Sequence, residues 1–155
     1  MDVRVALMIG AVALGCGETS SADPRFATPE RTVETLLEAH GAGEASEAEL
    51  RARVAEGGLR VVDRELFARC FADLDQPAGP ALASYVLGMI AAARDALRYE
   101  TIADRGYVVP RDGVRIVMRR GSDGAYRIVL SESVPEDVQR TLRELEGARP
   151  APAEP

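Results

Sequence analysis

The stretch RYETIADRGYVVPRDGVRIVMRRGSDGAYRIVLS (residues 98–131) decides the fold class. Val114, Ile116 and Met118 fall at every second position, as do Tyr126, Ile128 and Leu130. That is the period of a strand buried on one face. Tyr99, Thr101 and Ala103 show the same alternation, and GYVVP continues it in extended form. PRDG and GSDG place turn residues between the runs. The pattern predicts an antiparallel meander. Its inner face would carry the six apolar residues named first, and its outer face Arg115, Arg119 and Arg127.

Working outward, the period before residue 98 is helical. TPERTVETLLEAHG offers Thr28 as a cap, Pro29 in the first turn and Gly41 as the stop, with Val33, Leu36, Leu37 and His40 on one face. Ser46 and Glu49 have the spacing of a capping box. Asp63 can cap a helix in which Leu66, Phe67, Cys70, Phe71 and Leu74 form an apolar stripe. After the breaker DQPAGP, residues 81–97 read as a long apolar helix, interrupted only by Gly88. Beyond the meander, VPEDVQRTLRELEG reads as a last helix with Val138, Leu142 and Leu145 on one side. The whole is an α+β domain: N-terminal helices packed on a small antiparallel β-meander, with a C-terminal helix.

The N-terminus has a different character. Val5 to Leu14 is an unbroken run of small and apolar residues, too short to span a hydrocarbon core of about 30 Å. It fits the apolar centre of an export signal. Ala13, Leu14, Gly15 and Cys16 follow in the order of a lipobox, and Gly17 and a polar stretch come after. This resembles a bacterial lipoprotein leader. The resemblance implies cleavage before Cys16, acylation of Cys16, export, and anchoring in a membrane, with the outer membrane facing the periplasm as the expected address. The expected organisation is a signal peptide over 1–15, a flexible tether over 16–26, one domain over 27–146 and a disordered proline-rich tail over 147–155.

A Thr-Pro-Glu helix just after such a tether, followed by helices and an antiparallel meander, also resembles the lipoproteins of the nuclear transport factor two-like superfamily, over residues 28–130. The resemblance implies a cone-shaped cystatin-like roll. The helix over 81–97 and the C-terminal helix lie outside that pattern.

Composition narrows the chemistry. The chain of 155 residues carries a formal charge of −6, which argues against nucleic acid as a partner. All 19 of its basic residues are Arg, and Trp is absent, so stacking platforms for sugars or bases are not expected. With one histidine, His40, no His-pair metal site can be built. His40 itself reads as structural, in the last turn of its helix. GAGEAS follows a helix instead of a strand, so it is a loop and not a dinucleotide fingerprint. Asp73 and Asp75 read as a helix terminus in solvent, not a calcium site. Cys70 reads as a buried thiol. No cofactor and no metal are expected.

The largest remaining feature is charge. Residues 98–127 hold seven Arg and four acids, a net of +3 that leaves −9 for the rest of the chain. Arg115, Arg119 and Arg127 are therefore the candidate contacts for an anionic ligand or an envelope protein. The expected function is a membrane-anchored, non-enzymatic binding or interaction domain of the cell envelope. Two alternatives remain open: an isomerase-like or hydrolase-like enzyme of the cone fold, or a periplasmic carrier of lipid chains. The enzyme would require Asp63 to converge with Tyr85, Tyr99 or Tyr107. The carrier would require an apolar cavity of ligand size.

Overall fold

Thr28 opens helix α1 (Pro29–Glu38) as its sequence directs, its hydroxyl accepting from the Arg31 amide at 3.2 Å. The computed structural model describes residues 23–148, so the leader, Cys16 and most of the tail lie outside the described residues. Gly41 adopts φ +63°, and the Ala42 amide turns back to the Leu37 carbonyl at 2.9 Å, closing the helix end. Helix α2 (Glu47–Ala55) starts with the full Ser46–Glu49 capping box. Helix α3 (Arg64–Arg69) starts with Asp63 accepting from the Leu66 amide at 2.9 Å.

Helix α4 (Gly79–Ala92) is shifted from its expected span of 81–97. Ala78 takes a left-handed conformation, and Pro80 sits in the first turn with the φ that a helix needs, so the helix nucleates two residues early. It ends at Ala92, a 3₁₀ turn follows over Arg94–Ala96, and Leu97 is already extended.

The expected meander is present. Strands β1 (Arg98–Ile102), β2 (Arg105–Arg111), β3 (Val114–Arg120) and β4 (Tyr126–Ile128) form one antiparallel sheet in the order β1-β2-β3-β4. The register between β2 and β3 shifts between Val108 and Arg111. Pro110 lies in this irregular stretch, where its missing N–H breaks no regular ladder. β1 forms one edge of the sheet. Along the other edge, Ile128 donates to the Cys70 carbonyl at 2.8 Å and accepts from the Ala72 amide at 2.9 Å.

Two expectations within the meander need correction. Ala103 is in the β1–β2 turn with φ +55°, not in a strand. Leu130 does not continue β4 but opens a short helix, α5 (Leu130–Ser133), while remaining fully buried. What turns the chain is Asp73. Its carboxylate accepts from the Leu130 amide at 2.7 Å and from the Ser131 amide and hydroxyl at 3.0 and 2.7 Å. Asp73 was expected to end its own helix in solvent; instead it caps a helix more than fifty residues away. Asp73→Ala leaves both amides without their charged acceptor, and the expected loss is about 1–3 kcal/mol. Urea unfolding would show it as a lower midpoint at unchanged slope. An unchanged midpoint would mean that α5 is held by Leu130 packing alone.

Helix α6 (Glu136–Gly147) closes the chain. Val138 and Leu142 pack against the core. Leu145, expected beside them, is 63% exposed because the helix runs past the body.

The core fills the space between α1, α4 and the inner face of the sheet. Val33, Leu36, Leu37, Leu82, Val86 and Ile90 meet Val108, Ile116, Met118 and Ile128, all within 2% of full burial. Buried threonines tie the layers: the Thr32 hydroxyl donates to the Tyr126 carbonyl at 2.9 Å, and that of Thr35 to the Arg25 carbonyl at 2.9 Å. The second bond, with Phe26 only 1% exposed, brings the residues before α1 into the body. The domain boundary expected between 26 and 27 therefore falls inside the folded unit, which includes the 3₁₀ turn Pro24–Phe26. Among the described residues, no helix is long and apolar enough to cross a membrane.

Candidate functional site

Arg115, Arg119 and Arg127 share the outer face of the sheet. The register sets Arg119 opposite both Arg105 and Arg127, so three guanidinium groups form a row across β2, β3 and β4. Such a row would repel itself if left bare. It is not bare. Glu132, on α5, pairs with Arg105 at 3.0 Å and also with Arg119. Asp123 holds Arg127 at 2.5 Å. That contact keeps the Asp123 carboxyl down at about 2 and pushes the Arg127 guanidinium up. Arg115 lies 3.4 Å from Glu100 and covers the Tyr107 ring, with 5.3 Å from its guanidinium carbon to the ring centre. The structure thus brings the expected cations together but gives each an acidic neighbour. An anion binding there would have to displace a carboxylate.

Asp63, Tyr85, Tyr99 and Tyr107 do not converge. The Asp63 carboxylate caps α3 beside a polar recess lined by Arg25, Glu65, Leu66 and Arg69. Tyr99 pairs with Val108 and so faces inward. Burial first, then the carboxylates of Glu30 and Glu34, push its hydroxyl up to about 12. Tyr107, one residue before Val108, is on the opposite face. Tyr85 stands apart from all three on α4.

Cys70 and His40 are interior groups. The Cys70 thiol is fully buried and donates to the Leu66 carbonyl at 3.3 Å; burial pushes it up to about 12, so it is no nucleophile at neutral pH. The His40 ring has Nδ1 at 2.8 Å from the Leu36 carbonyl, to which it donates, and meets Phe67 edge-on at 5.4 Å. Burial lowers its pKa below 6.5, and the Leu36 hydrogen bond offsets part of that. The unfolded chain then binds the extra proton more readily than the folded one. Stability is accordingly full above about pH 6.5 and is lost as pH falls through the lower folded value. Denaturation midpoints measured from pH 8 down to 5 should fall in the wild type, and this component should be missing in His40→Gln. A His40→Gln profile that falls as steeply as the wild type would refute the assignment.

The site that sequence reasoning did not find is a groove of about 670 Å³. α4 forms its floor, with Ser84, Tyr85, Gly88, Met89 and Ala92. One wall is Glu47 and Arg51 of α2; the other is Pro110, Arg111 and Val114 at the tip of the β2–β3 hairpin. A smaller recess of about 300 Å³ shares Tyr85, Met89, Arg111 and Val114 with it and runs on toward Ser133 and Pro135. The larger groove's lining is mostly apolar, with a few polar groups beside it, the usual make-up of a small-molecule site. The one sequence signal was Gly88, a glycine inside an otherwise apolar helix. Among the described residues, no three His, Cys, Asp or Glu side chains gather as a metal site.

Comparison with protein-family models, curated proteins and solved structures gives no match to this chain.

Proposed function

We propose that this chain is a lipid-anchored, non-enzymatic binding domain of the bacterial cell envelope, tethered through Cys16 and facing the periplasm. Its ligand would sit in the groove between α2, α4 and the β2–β3 hairpin. The observation that carries the reading is the groove itself. It is of ligand size and mostly apolar, and it opens at the surface. The enzymatic alternative drawn from the sequence needs Asp63 beside a tyrosine in a shared cavity, and Asp63 lies in a recess lined by no tyrosine. The row of paired Arg on the sheet is better suited to the rim of a protein contact than to capturing a free anion.

The anchor rests on the ALGC stretch and is tested separately from the groove. Cys16→Ala should release the protein from membranes and abolish fatty-acid labelling; persistent labelling would remove the anchor from the reading. Binding is tested by native mass spectrometry of the full chain carrying Cys16→Ala, exported and purified without detergent. A discrete added mass supports a binding domain, and its loss on filling the groove places the ligand there. A bound mass that is insensitive to the groove would overturn the assignment of the site.

A further inference from the structure

Resting on the groove as the binding site, we infer that its ligand is a single-chain carboxylate amphiphile: a hydrocarbon tail along α4 with its carboxylate at Arg111. Three observations define this chemistry.

The first is the floor. Ser84, Gly88 and Ala92 recur every four residues and so lie on one face of α4. A Cβ added at Gly88 would meet nothing within 4 Å. Glycine weakens a helix interior, and here no neighbouring group needs its smallness. The missing side chain instead leaves a trough open to solvent.

The second is hydrogen bonding. Along the trough Ser84, Glu47 and Arg51 are already committed. Ser84 donates to the Pro80 carbonyl at 2.9 Å. Glu47 holds Arg51 at 2.5 Å and accepts from the Asp95 amide at 3.1 Å, while Arg51 also donates to the Ala92 carbonyl at 3.0 Å. An extended peptide would bring N–H and C=O groups that need partners. A hydrocarbon chain needs none, and the groove's volume is within the range of about 300–1,000 Å³ typical of ligand sites.

The third is the head. Among the described residues, Arg111 makes no ion pair, and neither it nor the Tyr85 hydroxyl makes a side-chain hydrogen bond; both line the groove and the recess beside it. One uncommitted guanidinium matches one negative charge, and its fork fits a carboxylate in bidentate fashion. A phosphate monoester near −2 would call for a second cation.

Calorimetric titration of the full chain carrying Cys16→Ala, with octanoate, decanoate and dodecanoate, tests the inference. Affinity should rise about fourfold per methylene. Arg111→Gln should weaken dodecanoate roughly tenfold or more, and undecyltrimethylammonium, with the same tail and the opposite head, should not benefit from Arg111. Gly88→Leu should abolish binding while melting no lower than the wild type, because its side chain enters empty space. If dodecanoate does not bind but another molecule co-purifies and is lost in Gly88→Leu, the groove stands and the amphiphile is overturned. If dodecanoate binds wild type and Gly88→Leu equally, the groove reading itself falls.

Discussion

Gly79→Ala is expected to destabilise the protein by about 3 kcal/mol or more. The added Cβ would sit 1.9 Å from the Leu74 carbonyl oxygen and 2.8 Å from its carbon. Both are backbone atoms, so no rotamer change relieves the clash; the loop from Leu74 to Ala78 must move. That loop also fixes the start of α4, because the Leu82 amide bonds to Ala78 and the Gly79 amide to Gln76. Displacing it tilts the helix that carries Leu82, Val86 and Ile90, all fully buried. The internal control is Gly88→Ala on the same helix, where nothing lies within 4 Å and a gain of about 0.5–1 kcal/mol is expected. Chemical denaturation of both variants gives the answer. Opposite signs support the close approach at residue 79, whereas a Gly79→Ala midpoint near that of the wild type would show that the loop yields.

Phe26→Ala should cost about 3–5 kcal/mol, the range for deleting a buried aromatic side chain. Its ring is 1% exposed, and the Arg69 guanidinium lies over it at 4.8 Å from the centre. Asp23 then pairs with Arg69 at 2.7 Å, which anchors the segment at both ends. Hydrogen bonds from Arg25 and Arg69 hold the Asp23 carboxyl well below the usual range. A chain started at residue 28 should therefore lose stability by a similar amount, although α1 and its cap remain intact. Equal melting of this truncated chain and the full one would return residues 23–27 to the tether.

The features legible in the sequence were those in which cause and effect lie within one turn of helix or one hairpin. Thr28, the Ser46–Glu49 box and Asp63 each cap an amide three residues on, and Gly41 terminates its own helix. The alternation through Val114, Ile116 and Met118 fixed the sheet for the same reason. The misses were non-local. Nothing near Asp73 announces Leu130, and nothing near Leu130 announces that a strand must bend into α5. Pro24–Phe26 looked like tether because what buries Phe26 comes from elsewhere in the chain.

The candidate site shows the same divide. Seven Arg fall between 98 and 127, and spacing cannot tell the paired ones from Arg111. The partner of Arg105 and Arg119 is Glu132, on a helix the pattern did not reveal. The groove needs α2, α4 and a hairpin tip side by side, an arrangement that only the folded chain makes.

The hydrogen bonds from Ile128 to Cys70 and Ala72 have a consequence for assembly. They occupy the β4 border of the sheet, so among the described residues β1 alone is left to accept a foreign strand, and it is short and carries Arg98 and Glu100. Fibre growth needs two open borders on every copy. Copies that met β1 to β1 would use up their only one, and accretion through the sheet would stop at a pair.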